Sequence, residues 1–340
     1  MTRRGRISVA ASAVSAIALI TSLATVSDAS AHDRHSRYES YDRAFYPTQS
    51  SGNRGTDVAA LQHLLTAGGQ QAPADGAFGP STTTAVKRFQ SSHGLPADGI
   101  AGPATWAALA VTVKQGSSGP AVRALQSELN AKMAAGLPVD GVFGAGTVSA
   151  VKRFQTKAGI APDGIVGPAT WKNLLWHYEP VAFGPNNLCD QDPDGNTAAN
   201  WGTAAAVAQL EVAARKFKEA GRGKVPVGDL GWELGGDIPG HASHEQGLDA
   251  DIWPVRKDNA QCTAGRITWR SPAYDRAATR DLVKEIRRAA PGHVKTVYFN
   301  DPQLISEGLT ASYPNHDNHL HVRYCEAVHP NPDPDADYRC

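Results

Sequence analysis

The sequence predicts a multidomain chain: two small all-α modules of three short helices each, followed by a larger domain that mixes strands and helices. Three observations carry this. A unit of about 60 residues occurs twice in tandem. From about residue 177 the composition changes, and histidines gather in two windows patterned at period two. The length of 340 residues suits two or three domains, at roughly 100–200 residues each. Lys plus Arg is 33 and Asp plus Glu is 33, so the formal net charge is zero, which argues against nucleic acid as a partner. Hydrophobic residues make up 41%, enough for packed cores, while 33 Gly and 22 Pro indicate many turns. Two Met and four Cys exclude methionine-rich binding surfaces and dense disulfide scaffolds.

Arg3, Arg4 and Arg6 form a positive start, an Ala-rich apolar stretch runs from Ile7 to about Leu23, and Ala29-Ser30-Ala31 offers small residues for cleavage. This is the three-part pattern of a secretory signal over residues 1–31. A membrane anchor fits less well, because the run is Ser-interrupted and shorter than the ~20 residues a span needs. No later stretch is apolar enough to cross a bilayer. The mature chain is expected to be exported and monomeric. Residues 32–48, polar and aromatic, read as a linker.

The modules span 49–111 and 112–178. Val86-Lys87-Arg88-Phe89-Gln90 recurs as Val151-Lys152-Arg153-Phe154-Gln155, and Asp98-Gly99…Trp106 recurs as Asp163-Gly164…Trp171. The offset is 65 in these blocks and 64 where Val58…Leu61-Gln62 matches Val122…Leu125-Gln126, so the first loop of the second copy holds one extra residue. Val58, Leu61 and Leu65 follow helical spacing. Gly79-Pro80 and Gly102-Pro103 open the next two helices, since Pro suits a first helical turn. Asp-Gly pairs mark turns. Trp106, Trp171, Phe89 and Phe154 read as core residues. Units this small without a cysteine need support from each other or from the next domain. The blocks D-G-x-F-G, V-K-R-F-Q and D-G-I-x-G-P-x-T-W resemble the peptidoglycan-binding domain of bacterial wall hydrolases. That resemblance implies a three-helix fold and peptidoglycan as partner; no wall-binding residue is assigned.

The third domain spans 186–340. Its windows are Gly240-His241-Ala242-Ser243-His244 through Asp249-Ala250-Asp251-Ile252-Trp253, and Asn315-His316-Asp317-Asn318-His319-Leu320-His321-Val322-Arg323-Tyr324. Leu248, Ala250 and Ile252 alternate with Asp249 and Asp251; Leu320 and Val322 alternate with His319, His321 and Arg323. Alternate residues of a strand share a face, so each window sends an apolar row to a core and a polar row to a cleft. A turn at Gly247 can bring His244 over the same cleft. Imidazoles with a carboxylate suit zinc. Three ligands with an open position form the catalytic arrangement, in which the metal activates water and polarises a carbonyl. Thr203–Ala220 and Asp281–Ala289 read as helices, and 329–339 as an exposed tail. Cys189, Cys262, Cys325 and Cys340 suggest two disulfides in an exported protein, with three pairings open; their spacings of 73, 63 and 15 contain no C-x2-C pair, against a four-cysteine zinc site.

S-H-x-x-G-x-x-x-D followed by H-x-H resembles the zinc signature of lysostaphin-like, D-Ala-D-Ala peptidase and hedgehog-type domains. The fuller string V-G-D-L…G-G-x-x-x-G-H-A-S-H-E-Q-G-L-D-A-D, with H-x-x-H-x-H, resembles the penicillin-insensitive murein endopeptidases over roughly residues 186–326. The resemblance implies an α+β fold with a small antiparallel sheet under one zinc ion. The implied ligands are His244, Asp251 and His321, with His319 as active-site histidine and His241 and His316 close by. Asp249, on the strand face of Asp251, is the fallback ligand. The implied activity is cleavage of D-alanyl cross-links between stem peptides at the cell wall. The carboxypeptidase branch carries a Glu just before its last zinc histidine; here no Glu lies between Tyr313 and His321, which favours the endopeptidase branch, with His319 or His316 handling protons. Asp317 is a nearby carboxylate that complicates this. A zinc D,D-carboxypeptidase and a non-catalytic wall-binding protein are the alternatives.

Overall fold

In a computed structural model of the chain, the described residues are 44–184, 187–191, 197–236, 238, 240–241, 243–326 and 338–340. The expected signal segment, the linker up to residue 43 and the tail over 329–337 lie outside them. Among the described residues, no helix is long and apolar enough to cross a membrane.

Each repeat folds as three helices: α1 (Thr56–Ala67), α2 (Pro80–Ser92) and α3 (Pro103–Leu109), then α4 (Pro120–Met133), α5 (Ala145–Lys157) and α6 (Pro168–Trp176). Pro80, Pro103, Pro120 and Pro168 sit in first turns, where the missing N–H had no helical partner to lose. The extra residue of the second copy, expected in its first loop, is instead taken up by α4, which has 14 residues against 12 in α1 and ends at left-handed Ala134, so the connection to the next helix is shorter than in the first copy.

Trp106, Trp171, Phe89 and Phe154 are buried, as expected of core residues. A buried indole N–H still needs an acceptor. Trp106 donates to the Pro47 carbonyl at 2.6 Å and Trp171 to that of Val111 at 2.8 Å. Residues 44–48, expected to be linker, are therefore part of the first module. Tyr46 is buried there and donates to the Pro168 carbonyl at 3.1 Å, and Gln49 pairs with Ala101.

One device recurs four times. Each Asp-Gly turn is held by a buried glutamine from the helix before it. Gln155 Nε2 donates to Asp163 Oδ1 (2.8 Å) and the Ile165 carbonyl (2.9 Å), while its Oε1 accepts from Gly164 N (2.9 Å). Gln90 does the same for Asp98, Ile100 and Gly99, Gln62 for Asp75, Ala77 and Gly76, and Gln126 for Asp140, Val142 and Gly141. Gly164 has φ +78°, which a side chain would resist.

The two modules share one continuous apolar core, with α1 against α4. Inside it lies a charged hub. The fully buried Lys132 donates to Asp57 Oδ1 across the module boundary at 2.7 Å, and to the Leu174 and Leu175 carbonyls at 3.0 and 3.1 Å. Glu128 Oε2 is 3.0 Å from its ammonium, and the Glu179 carboxylate closes the cluster.

Glu179 starts β1 (Glu179–Pro180), which pairs with β3 (Trp201–Gly202) and leads into the C-terminal domain. There a five-stranded sheet runs β2 (Leu188–Asp190), β4 (Val225–Val227), β5 (Asp249–Ile252), β7 (Leu320–Tyr324), β6 (Val294–Tyr298). Four strands are antiparallel, as expected, and edge strand β2 joins parallel to β4. Helices α7 (Ala204–Glu219) and α8 (Arg276–Ala289) complete a second apolar core with the sheet, and the short α9 spans Pro302–Ser306. Disulfides join Cys189 to Cys262 and Cys325 to Cys340. The modules dock on this domain: Arg54 Nε donates to the Ala289 carbonyl at 3.1 Å, and Lys157 pairs with Glu233 at 2.7 Å.

Candidate metal centre

Strands β5 and β7 lie side by side in the register Asp251↔His321 and Asp249↔Arg323. Ala250, Ile252, Leu320 and Val322 face the core, fully buried. The polar row of each strand is thereby turned to the opposite face, where the acidic and imidazole side chains meet.

Asp251 is the centre of the cluster. Its Oδ1 is 3.0 Å from His321 Nδ1, 3.5 Å from His244 Nε2 and 3.6 Å from His319 Nε2. Its Oδ2 is 3.7 Å from His241 Nδ1. His244 reaches in from a sharp turn at φ +82°, a conformation that costs a side-chain-bearing residue about 1–3 kcal/mol. Gly247 closes the turn at φ +62°, and a Cβ there would lie 2.7 Å from the Tyr178 ring. The turn is held by His244 N donating to Asp249 Oδ2 at 3.0 Å and by His244 Nδ1 on the Leu230 carbonyl at 2.7 Å.

A carbonyl only accepts, so His244 Nδ1 carries the proton and Nε2 presents a lone pair. That atom is buried and has no hydrogen-bond partner. It faces the carboxylate oxygen of Asp251 at 3.5 Å, so two acceptors stand opposed. A cation satisfies both, and the backbone bond at the far ring nitrogen is the usual support of a metal-bound histidine. The residues fit a zinc ion by the nature of their donors.

Asp249, considered above as a fallback ligand, is fully buried and otherwise engaged. Its Oδ1 accepts from His321 Nε2 at 2.9 Å and Arg323 Nε at 3.0 Å; its Oδ2 accepts from His244 N and from the Tyr338 hydroxyl. These donors occupy the lone pairs a cation would need. Burial opposes the charge on both aspartates, yet the His321 imidazole that bridges them holds both well below the usual carboxylate range. Burial works against a charged His321, but Asp249 and Asp251 push it up to about 9.

His319 and His316 line the open side, with ring centroids 4.6 Å apart. His319 Nδ1 lies 2.9 Å from Asn318 Oδ1 and His316 Nδ1 lies 2.7 Å from the Pro314 carbonyl, so both leave Nε2 as acceptor. Burial draws His319 down to about 4, against the pull of Asp251, and lowers His316 as well. Both rings are neutral at neutral pH. Asp317 is turned away: its carboxylate binds Arg270 Nη1 at 2.5 Å and Trp269 Nε1 at 3.2 Å. Two further polar residues stand close. Asp229 Oδ2 is 3.1 Å from His241 Nε2, which raises the His241 pKa, and Ser243 Oγ is 3.3 Å from His321 Nε2.

Residues 54–109 and 118–174 match the family described as putative peptidoglycan binding domain. Residues 195–290 match the family described as penicillin-insensitive murein endopeptidase. The second match includes His241, His244, Asp249 and Asp251; β7, with His321, reaches them by strand pairing. The chain is similar to a zinc D-Ala-D-Ala carboxypeptidase of Streptomyces albus G, 39% identical over 127 residues, covering 35% of this chain and 49% of that protein. It is similar to a probable N-acetylmuramoyl-L-alanine amidase of Bacillus licheniformis, 36% identical over 153 residues, 36% of this chain and 43% of that protein. The chain spans about half the length of these curated relatives. A solved Burkholderia AP3 phage endolysin shares 50% identity over 19% of this chain and 25% of its own, with a TM-score of 0.19. The chain thus carries two peptidoglycan-binding repeats followed by a domain of the penicillin-insensitive murein endopeptidase family.

Proposed function

We propose that this protein is a secreted, zinc-dependent peptidoglycan hydrolase that cleaves D-alanyl cross-links between stem peptides, with its two N-terminal modules holding it on the wall. The ligands are His244 through Nε2, Asp251 through Oδ1 and His321 through Nδ1, for one zinc per chain. The observation that carries this reading is the buried, unpartnered His244 Nε2 opposite Asp251 Oδ1. Zinc bound there supplies a Lewis acid that polarises the scissile carbonyl and makes water nucleophilic near neutral pH.

The residues around it divide the remaining work. Neutral His319 presents Nε2 toward Asp251 and can take the proton that the attacking water gives up. Once charged, it can donate to the oxyanion or to the leaving amine. His316, packed beside it in a tilted contact, orients that ring. Asp229 holds His241, which faces Asp251 from the other side and can donate a hydrogen bond to substrate. Asp249 fixes the His321 ring through Nε2, which leaves Nδ1 for the metal. Endopeptidase action is favoured because Asp317, the single carboxylate between Tyr313 and His321, is bound by Arg270 and Trp269. Removal of terminal D-Ala is the second reading, favoured by the similarity to a zinc D-Ala-D-Ala carboxypeptidase.

Metal analysis tests the ligand set. His244→Ala, Asp251→Ala and His321→Ala should each lose zinc, because three ligands leave no redundancy. About one zinc per chain retained in all three variants would sink the assignment.

A further inference from the structure

Tyr338 lies two residues before Cys340, in a stretch that reads as an exposed tail, yet it is completely buried. Its backbone is tied to the end of β7. Glu326 N donates to the Tyr338 carbonyl at 3.0 Å, Cys340 N donates to the Glu326 carbonyl at 3.0 Å, and the Cys325–Cys340 disulfide closes the segment. The Arg323 guanidinium lies over its ring, 5.1 Å from the centroid. The phenol oxygen then meets Asp249 Oδ2 in a short hydrogen bond. An ionised carboxylate only accepts, so the phenol donates.

Asp249 touches two of the three ligand residues at once: the His321 ring through Nε2 and the His244 turn through its backbone N–H. A carboxylate free to rotate about its last bond would trade these partners. The Tyr338 hydroxyl and Arg323 Nε hold one oxygen each, so the carboxylate plane is fixed. The hydroxyl therefore acts on the metal at two removes, through Asp249 and then the His321 ring and the His244 turn.

We propose that Tyr338 is a positioning residue of the metal centre: the C-terminal segment, pinned by the Cys325–Cys340 disulfide, inserts its hydroxyl behind Asp249 and so sets the aim of His321 and His244. This rests on the ligand set proposed above. It predicts that zinc affinity depends on a hydroxyl group from the far end of the chain. Outer-shell partners of metal ligands typically contribute 10- to 100-fold in affinity, and one link further out the lower end of that range applies.

The experiment is a zinc titration against a competing chelator on the full chain, comparing wild type, Tyr338→Phe, Asp249→Asn and the double variant. Absorption spectra of the Co²⁺-loaded proteins and urea melts of the metal-free proteins accompany it. Tyr338→Phe keeps the ring and its stacking on Arg323, and loses the hydroxyl alone. Its zinc affinity should fall about tenfold, with a changed Co²⁺ ligand-field band. The same substitution should cost far less in the Asp249→Asn background, because the hydroxyl acts through that carboxylate. An affinity and Co²⁺ spectrum equal to wild type would overturn the inference. So would an equal loss in both backgrounds, the mark of packing alone. A wild-type chain that takes up no zinc would overturn the ligand set itself, and this inference with it.

Discussion

Glu179 carries one negative charge too many for its surroundings, and the consequence is measurable. Lys132 already faces Asp57 at 2.7 Å and Glu128 at 3.0 Å. Glu179 is a third carboxylate in the same dry junction between modules and C-terminal domain. Burial outweighs the attraction of Lys132 and pushes its pKa from 4.5 up to about 7. The unfolded chain loses this proton near 4.5, while the folded chain holds it until about 7. Between those values the folded state binds more protons, so stability falls as pH rises, and the loss is complete above 7. At about 1.4 kcal/mol per pH unit the window is worth about 3 kcal/mol. Glu179→Gln keeps the shape and has no proton to hold. The difference in unfolding free energy, variant minus wild type, should be small at about pH 4 and reach about 3 kcal/mol in favour of the variant at about pH 8. Urea unfolding of both proteins across that range gives the difference directly, and titrating groups away from this cluster cancel. A flat difference, or one that grows toward acid, would refute the reasoning.

Gln155→Leu should destabilise the second module by about 2–3 kcal/mol, because Gly164 N–H loses its buried acceptor and Asp163 its donor; binding to insoluble wall should weaken while zinc content stays the same. Serine pairs at the disulfides should rank by the loop each closes. Cys189→Ser with Cys262→Ser, 73 residues apart, should cost about 4 kcal/mol in thermal melts, and Cys325→Ser with Cys340→Ser, 15 apart, about 3 kcal/mol. His319→Ala should keep zinc and lose about 10²–10⁴-fold in turnover; near-wild-type kinetics on the zinc-loaded variant would remove His319 from the mechanism.

The architecture of the modules was legible because it is written twice. Helical spacing, Gly-Pro starts and Asp-Gly turns each point to one local conformation, and the second copy repeats them. The glutamines that hold the turns lie in the repeated blocks, but a polar residue on a helix reads as surface until the turn is seen folding back on it. In the C-terminal domain, period two was enough to give β5 and β7 each a polar face, while the register that sets His321 beside Asp251 comes from long-range pairing. The short strands β2 and β4 leave no such trace: Val225-Pro226-Val227 is too brief to show alternation, and the parallel pairing with Leu188–Asp190 depends on distant chain. The first turn of α8 is set by the Asp275 cap, which accepts from Ala278 N, more than by its apolar spacing. Asp229 and Tyr338 are single polar residues whose partners lie in other elements, and Tyr338 reaches Asp249 across 89 residues. The same long-range packing joins the modules to the C-terminal domain through Arg54 and Lys157, as units of about 60 residues need.

The measurement that bears most directly on the central claim is a digest of purified, cross-linked peptidoglycan with the zinc-loaded chain, resolved into muropeptides. Cross-linked dimers should fall to monomers without release of free D-alanine, and His321→Ala should abolish the change. Release of D-alanine from pentapeptides with dimers intact would identify a carboxypeptidase, and unchanged muropeptides from zinc-loaded protein would contradict the enzymatic account.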